Sequence, residues 1–223
     1  MTGFSNSPKL LKAGIVLIDS ESAQVKRIIA LQYNPDSLTR SFQAQAFSSE
    51  SGGERSEALR LKGPAVESYK LDAEIDAADQ LEFPEQHAAT VEHGIQPQLA
   101  ALELLLYPSS DQLNANNSRA NAGTLEIVPM ETPLALFVWS KTRIVPVRLT
   151  DFSITEEAFD PALNPLRAKV SLGLRVLSVD DLGFAHKGGG LFMTYLKTKE
   201  GLAAKVAAGS FATLGIGGIG GIS

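Results

Sequence analysis

A mainly β protein with one packed helix and a helical C-terminal arm is predicted from this sequence by three observations. Long stretches alternate apolar and polar residues with period two, as half-buried strands do. One internal stretch, "GIQPQLAALELLLYP" (94–108), switches to helical spacing. After Val179 the alternation ends, and "LFMTYLKTKEGLAAKVAA" is compatible with a helix weakened at Gly201. The combination suits a β-barrel or sandwich whose helix covers an opening or an edge.

The elements follow in order. "AGIVLID" and "QVKRIIALQYNP" flank the turn-forming "SESA" and make a β-hairpin. Asn34-Pro35 turns the chain, and "TRSFQAQAF" resumes extended structure. "SSESGGERSEALRLKGP" (48–64) is a polar, glycine-rich loop longer than a hairpin needs. In "ESYKLDAEID", Tyr69, Leu71, Ala73 and Ile75 share one face, while Lys70, Asp72, Glu74 and Asp76 share the other. Leu99, Leu102, Leu105 and Leu106 form the helical stripe of 94–108, with Pro97 in its first turn. "SSDQLNANNSRANAG" is taken as a second polar loop.

"TLEIVP" and "LALFVWS" are short strands. "RIVPVRLTDFSITEEAF" is a long strand whose apolar phase changes from odd (Val145, Val147, Leu149) to even (Phe152, Ile154). A β-bulge near Thr150–Asp151 accounts for the change. Pro146 in that strand argues for an edge or bulged position, because proline cannot donate to the ladder. In "NPLRAKVSLGLRVLSV" the dry face carries Leu166, Ala168, Val170, Leu172, Leu174 and Val176. The wet face carries Arg167, Lys169, Ser171, Gly173 and Arg175. "DDLGFAHKGGG" is taken as a linker, and "GSFATLGIGGIGGIS" as a glycine-rich tail unable to build a core. The boundaries are a β-barrel domain at 1–182 and a linker, helix and tail at 183–223.

Composition narrows the function. Of 223 residues 44% are hydrophobic, and the net charge of −5 argues against general nucleic-acid binding. With no cysteine, disulfides, thiolate metal sites and cysteine nucleophiles are excluded. The first residues lack the basic start and long apolar centre of a secretion signal, and no stretch approaches the roughly 18 apolar residues of a membrane span. His87 and His93 are six apart in a loop-like region, which is not ligand spacing. Asp72, Glu74 and Asp76, with Asp79 and Glu82 beyond, form the best carboxylate row. It suits calcium, a glycosidase pair, or simply a solvated or intersubunit face. The glycines at 188–190 and 215–221 follow no strand and open no obvious helix, so they make no phosphate loop. Neither a nucleophile elbow nor a zinc-protease motif occurs. No catalytic residue and no cofactor is expected.

Five segments carry a family resemblance: "QYNPDSLTRSF", "KGPAVESYKLDAEIDAADQLE", "GIQPQLAALELLLYP", "LALFVWSKTRIVPVRLTDFSITEEAFDPALNPLRAKVSLGLRVL" and "YLKTKEGLA". In that order and spacing they resemble the tube-initiating adaptor of extracellular contractile injection systems, phage-tail-like particles. The resemblance implies the tail-tube β-barrel fold with a packed helix. It implies a non-enzymatic homo-hexamer between the spike or hub and the inner tube, in contact with the baseplate. It further implies assembly in a bacterial cytoplasm, release on lysis, and no contact with nucleic acid or insertion into a membrane. The wet faces would then line the lumen or meet the next subunit, which makes Asp72, Glu74, Asp76, Arg167, Lys169 and Arg175 the interface candidates. Many relatives carry a C-terminal LysM domain linked to baseplate attachment. None is read here, so docking is expected through the 191–223 arm or another subunit. A different class remains open: a monomeric β-barrel module binding a carbohydrate or small ligand through Trp139 and the 72–76 carboxylates.

Overall fold

The structure, a computed structural model, describes residues 11–20, 22–46, 60–123, 132–216 and 218. Seven strands form one antiparallel sheet: β1 (Gly14–Ile18), β2 (Val25–Ala30), β3 (Thr39–Gln43), β4 (Val66–Asp76), β5 (Leu134–Ser140), β6 (Arg143–Phe159) and β7 (Pro165–Val176). Their order across the sheet is β2-β1-β5-β6-β7-β4-β3. Six α-helices accompany them among the described residues: α1 (Ala78–Leu81), α2 (Ala88–His93), α3 (Gln96–Glu103), α4 (Ser110–Asn121), α5 (Val179–Leu182) and α6 (Lys187–Ala203). None is long and apolar enough to cross a membrane. The strand "TLEIVP" and most of the loop 48–64 lie outside the described residues. The base of that loop is closed by the bridge Ala46–Leu61.

One contact shows how the sheet curls. Adjacent strands lie about 4.8 Å apart, so β5 and β4, three steps apart, would be separated by roughly 14 Å in a flat sheet. Yet the rings of Phe137 on β5 and Tyr69 on β4 have centroids 5.4 Å apart. The dry faces therefore turn towards each other around one core, where Phe137, Tyr69, Ile15, Val145, Val147, Leu172 and Leu174 are all essentially inaccessible. The helix runs over 96–103, short of the expected 94–108: Leu99 and Leu102 enter the core, whereas Leu105 and Leu106 lie beyond its end and Leu106 is exposed. It spans the gap between β2 and β4, leaving a cavity of about 610 Å³ beside Ile29, Ala73 and Ala101.

β6 serves two ladders. Residues 143–147 pair with β5, whereas pairing from Asp151 onward is with β7 alone. The predicted bulge is there, as a register shift between Leu149 and Asp151. Pro146 is not on an edge strand as expected. β6 is central, and the proline is tolerated because the β6–β7 ladder begins only at Val147. Pro146 contributes its carbonyl, which accepts from the Leu177 N–H at 2.9 Å.

Three loop expectations are corrected. Residues 110–121 are helical, started by a capping box in which Ser109 accepts from the Gln112 N–H and Gln112 reaches back. The segment 87–93 is also helical, with His87 at the N-cap of α2 and His93 in its last turn. The linker "DDLGFAHKGGG" holds α5 and the start of α6, so Gly188–Gly190 do open a helix, capped by the His186 side chain. Glycine is needed there sterically: a Cβ at Gly189 would collide with the Gly183 carbonyl oxygen.

Gly94 closes α2 at φ 58°, and a Cβ on it would strike the carbonyl oxygen of Pro165, which also accepts from the Ile95 N–H. Gly94→Ala is expected to cost about 2 kcal/mol through strain at positive φ and loss of that close approach. A urea unfolding midpoint measures it.

α6 is fixed to the sheet by a polar cluster under its length. Glu67, 3% exposed, stands on the dry face of β4 in phase with Tyr69. Its carboxylate accepts from Lys199 Nζ at 2.7 Å, Arg40 Nη2 at 2.8 Å and the Tyr195 hydroxyl at 2.9 Å. Tyr195 also meets the Tyr69 hydroxyl at 2.9 Å. Burial pushes the Glu67 pKa up, but the donors from Lys199, Arg40 and Tyr195 outweigh it and hold the group below its ordinary value.

Candidate interface on the polar sheet face

The wet faces of β4, β7 and β6 are neighbours in one chain. Period-two alternation sets which residues point outward, and antiparallel pairing sets which of them meet. Across β4 and β7, Asp76 lies opposite Arg167, Glu74 opposite Lys169 and Asp72 opposite Ser171. Across β7 and β6, Arg167 lies opposite Glu157 and Lys169 opposite Thr155. Each cation is thus set between acidic or hydroxyl-bearing neighbours.

Two ion pairs follow from this register. Arg167 Nε donates to Asp76 Oδ2 at 2.7 Å, and Lys169 Nζ stands 3.1 Å from Glu157 Oε1. Asp76 is held below the ordinary carboxylate range, chiefly by the Ala78 N–H and also by Arg167. Lys169, with 61% of its side chain exposed, presents its ammonium to solvent. Asp72 and Glu74 are exposed in the same row, and no ion pair engages them among the described residues.

Arg175 differs from the other candidates. It is half-buried, and its Nη2 donates at 2.7 Å to Asp181 of α5. Burial raises the Asp181 pKa, but the Ser178 N–H and Arg175 bring it below the ordinary range. Arg175 therefore ties α5 to the end of β7, six residues of strand beyond Lys169 and four beyond Ser171, the partner of Asp72.

The other candidate constellation does not assemble. Trp139 packs against the core, its ring 6.0 Å from Phe137, whereas Asp72, Glu74 and Asp76 point outward from β4. Among the described residues, no three His, Asp or Glu side chains gather closely enough to hold a metal ion. Glu67 and its partners went unnoticed in the sequence. The signal was an ionisable residue in phase with the apolar positions of β4.

A profile of the contractile injection system tube protein family matches residues 9–181. The chain belongs to this family. The matched span contains all seven strands, the outward row just described, and the bulge of β6. No curated protein sequence matches the chain. Among solved structures, one similar chain comes from the tail of an empty gene transfer agent particle with C6 symmetry. It is 14% identical over 74% of this chain and 90% of that one, at a TM-score of 0.29. Another comes from the virion of a native gene transfer agent particle, 13% identical over 77% of this chain and 95% of that one, at a TM-score of 0.28. As a contractile injection system tube protein, the chain is a structural component of a phage-tail-like particle, and its partners are other tail components.

Proposed function

We propose that this tube-family chain is a hexameric adaptor that joins the spike or hub of a contractile injection system to its inner tube and touches the baseplate. The carrying observation is the in-register, ion-paired and outward-facing row across β6, β7 and β4, on a chain whose family builds tubes. Such a row is suited to contact with a protein surface or a water-filled channel. Its two cations are paired within the chain, and the exposed carboxylates Asp72 and Glu74 set register against a neighbour. Asp72, Glu74, Asp76, Arg167 and Lys169 act there, while Arg175 acts by holding α5.

Lys169→Glu tests this reading. Exposed pairs contribute roughly 0–1 kcal/mol, so the purified variant should unfold within that margin of the parent chain. Particles from a host expressing the whole gene cluster should contain the variant at less than a tenth of the parent level. Equal incorporation of the variant would remove this face from assembly. Cryo-electron microscopy of parent particles supplies the second check: sixfold density for the chain between spike and tube is expected, and intact particles lacking the chain reject the adaptor reading.

A further inference from the structure

We propose that the β6–β7 hairpin tip is a plug that seats in the apolar cleft at the far end of a second copy of this chain. The inference rests on the ring-subunit reading above, since it supplies the contact between copies.

The tip is built to hold apolar groups in water. Phe159 is 50% exposed and Leu163 76% exposed. Ala158 and Leu163 both adopt positive φ, 52° and 66°, where side chains other than glycine are strained. Leu163 is thus unfavourable twice over, by backbone and by exposure. Strain of this kind persists only where the surroundings enforce it, and it gathers at functional positions. The enforcement is visible. Asp160 Oδ1 accepts from the N–H groups of Ala162 and Asn164, each at 2.8 Å. Asn164 Nδ2 donates to Asp160 Oδ2 at 2.8 Å and to the Glu92 carbonyl of α2 at 3.1 Å. The loop is a fixed projection, so little ordering cost remains on binding.

The cleft lies at the other end of β7. Leu177 and Leu182, just past that strand, form one wall, and Leu104, Leu105 and Tyr107 beyond α3 form another, enclosing about 610 Å³. β7 has 12 residues, so roughly 36 Å of extended chain separates the tip from this cleft. The tip of one chain therefore cannot reach that chain's own cleft, so a tip seated there comes from another copy. Charge agrees. Asp160 belongs to the tip, Glu92 adjoins it through its carbonyl on Asn164, and Glu156 lies three residues before Phe159 on β6. The cleft and its extension also carry Asp181 and Asp19, but these are paired with Arg175 and Lys26, whereas Arg148 and Arg27 make no ion pair among the described residues. Two different patches meeting head to tail give a contact that closes into a ring or continues as a stack.

The test places the photoreactive residue p-benzoylphenylalanine at position 163 of the full chain and illuminates both the purified protein and assembled particles. The expected product is a covalent dimer whose joined peptide contains residues 104–107 or 177–182 of a second copy. Leu104→Arg in the receiving copy should lower the yield at least fivefold, and this variant reports on seating without altering the probe. A cross-link to a different protein, a cross-link elsewhere on a second copy, or no cross-link in either sample overturns the plug. If particles still carry the chain in a sixfold ring while the cross-link falls elsewhere, only the plug fails. If particles lack the chain, the adaptor reading fails instead.

Discussion

Glu67→Ala should lower folding stability by roughly 3 kcal/mol, the lower end of the range for breaking a buried pair, because both cations left behind retain some solvent access. For a chain of this size, each kcal/mol corresponds to about 2–4 °C in Tm, so differential scanning calorimetry should show a drop of about 6–12 °C. The physical cause is specific. Without the carboxylate, Lys199 and Arg40 face each other under α6, and the Tyr195 hydroxyl loses an acceptor. The same group gives a pH dependence. Its folded pKa lies below its ordinary 4.5, so its contribution is complete above 4.5 and disappears as pH falls through the folded value. Stability of the parent chain should therefore decline more steeply below pH 4.5 than that of Glu67→Gln. Equal slopes would mean that Glu67 has the same pKa in the folded and the unfolded chain.

Phe137→Ala should cost about 3–5 kcal/mol, with urea denaturation followed by the fluorescence of Trp139 as the readout. Phe137 is 1% exposed and stands between Tyr69 and Trp139, at 5.4 Å and 6.0 Å. Truncation leaves a hole at the place where the two turned halves of the sheet meet. The loss exceeds that of a ring on a single flat sheet, because packing on β4 and on β5 is lost together. A cost under about 1.5 kcal/mol would mean that the sheet closes over the cavity and that the Phe137–Tyr69 contact does not govern its curl.

The strands β4 and β7 were legible because one face of each is drier than the other. From Tyr69 to Ile75 in β4 and from Ala168 to Val176 in β7, buried residues alternate with half-buried or exposed ones in the expected phase. The bulge was legible as a change of phase, which no other local feature produces. Pairing between β4 and β7 was not, since residues about 95 apart in sequence meet only through the fold. α4 was misjudged because it is rich in asparagine and buries nothing. Its stability is local, and Ser109 with Gln112 carried that information. The glycines at 188–190 read as a break because glycine disfavours helix, and the tight approach that requires them is tertiary. The candidate row was readable as residue types on faces. Its division into a cluster at 72–76 and 167–169 and a separate Arg175–Asp181 tie depends on α5, which the sequence pattern hides behind a linker-like composition.

The extra residue in β6 also fixes what kinds of change this lineage can absorb. A strand has only two sides, so adding or removing one residue exchanges them. Upstream of Leu149 the odd positions are inside, and downstream of Asp151 the even ones are. Loss of the bulge would invert the distal half of β6, sending Ser153, Thr155 and Glu157 inward and turning Phe152 and Ile154 out beside Lys169. The parity of this one strand thus couples the interior to the assembly face: point substitutions can tune either surface alone, whereas a single-codon insertion or deletion near position 150 rewrites both at once.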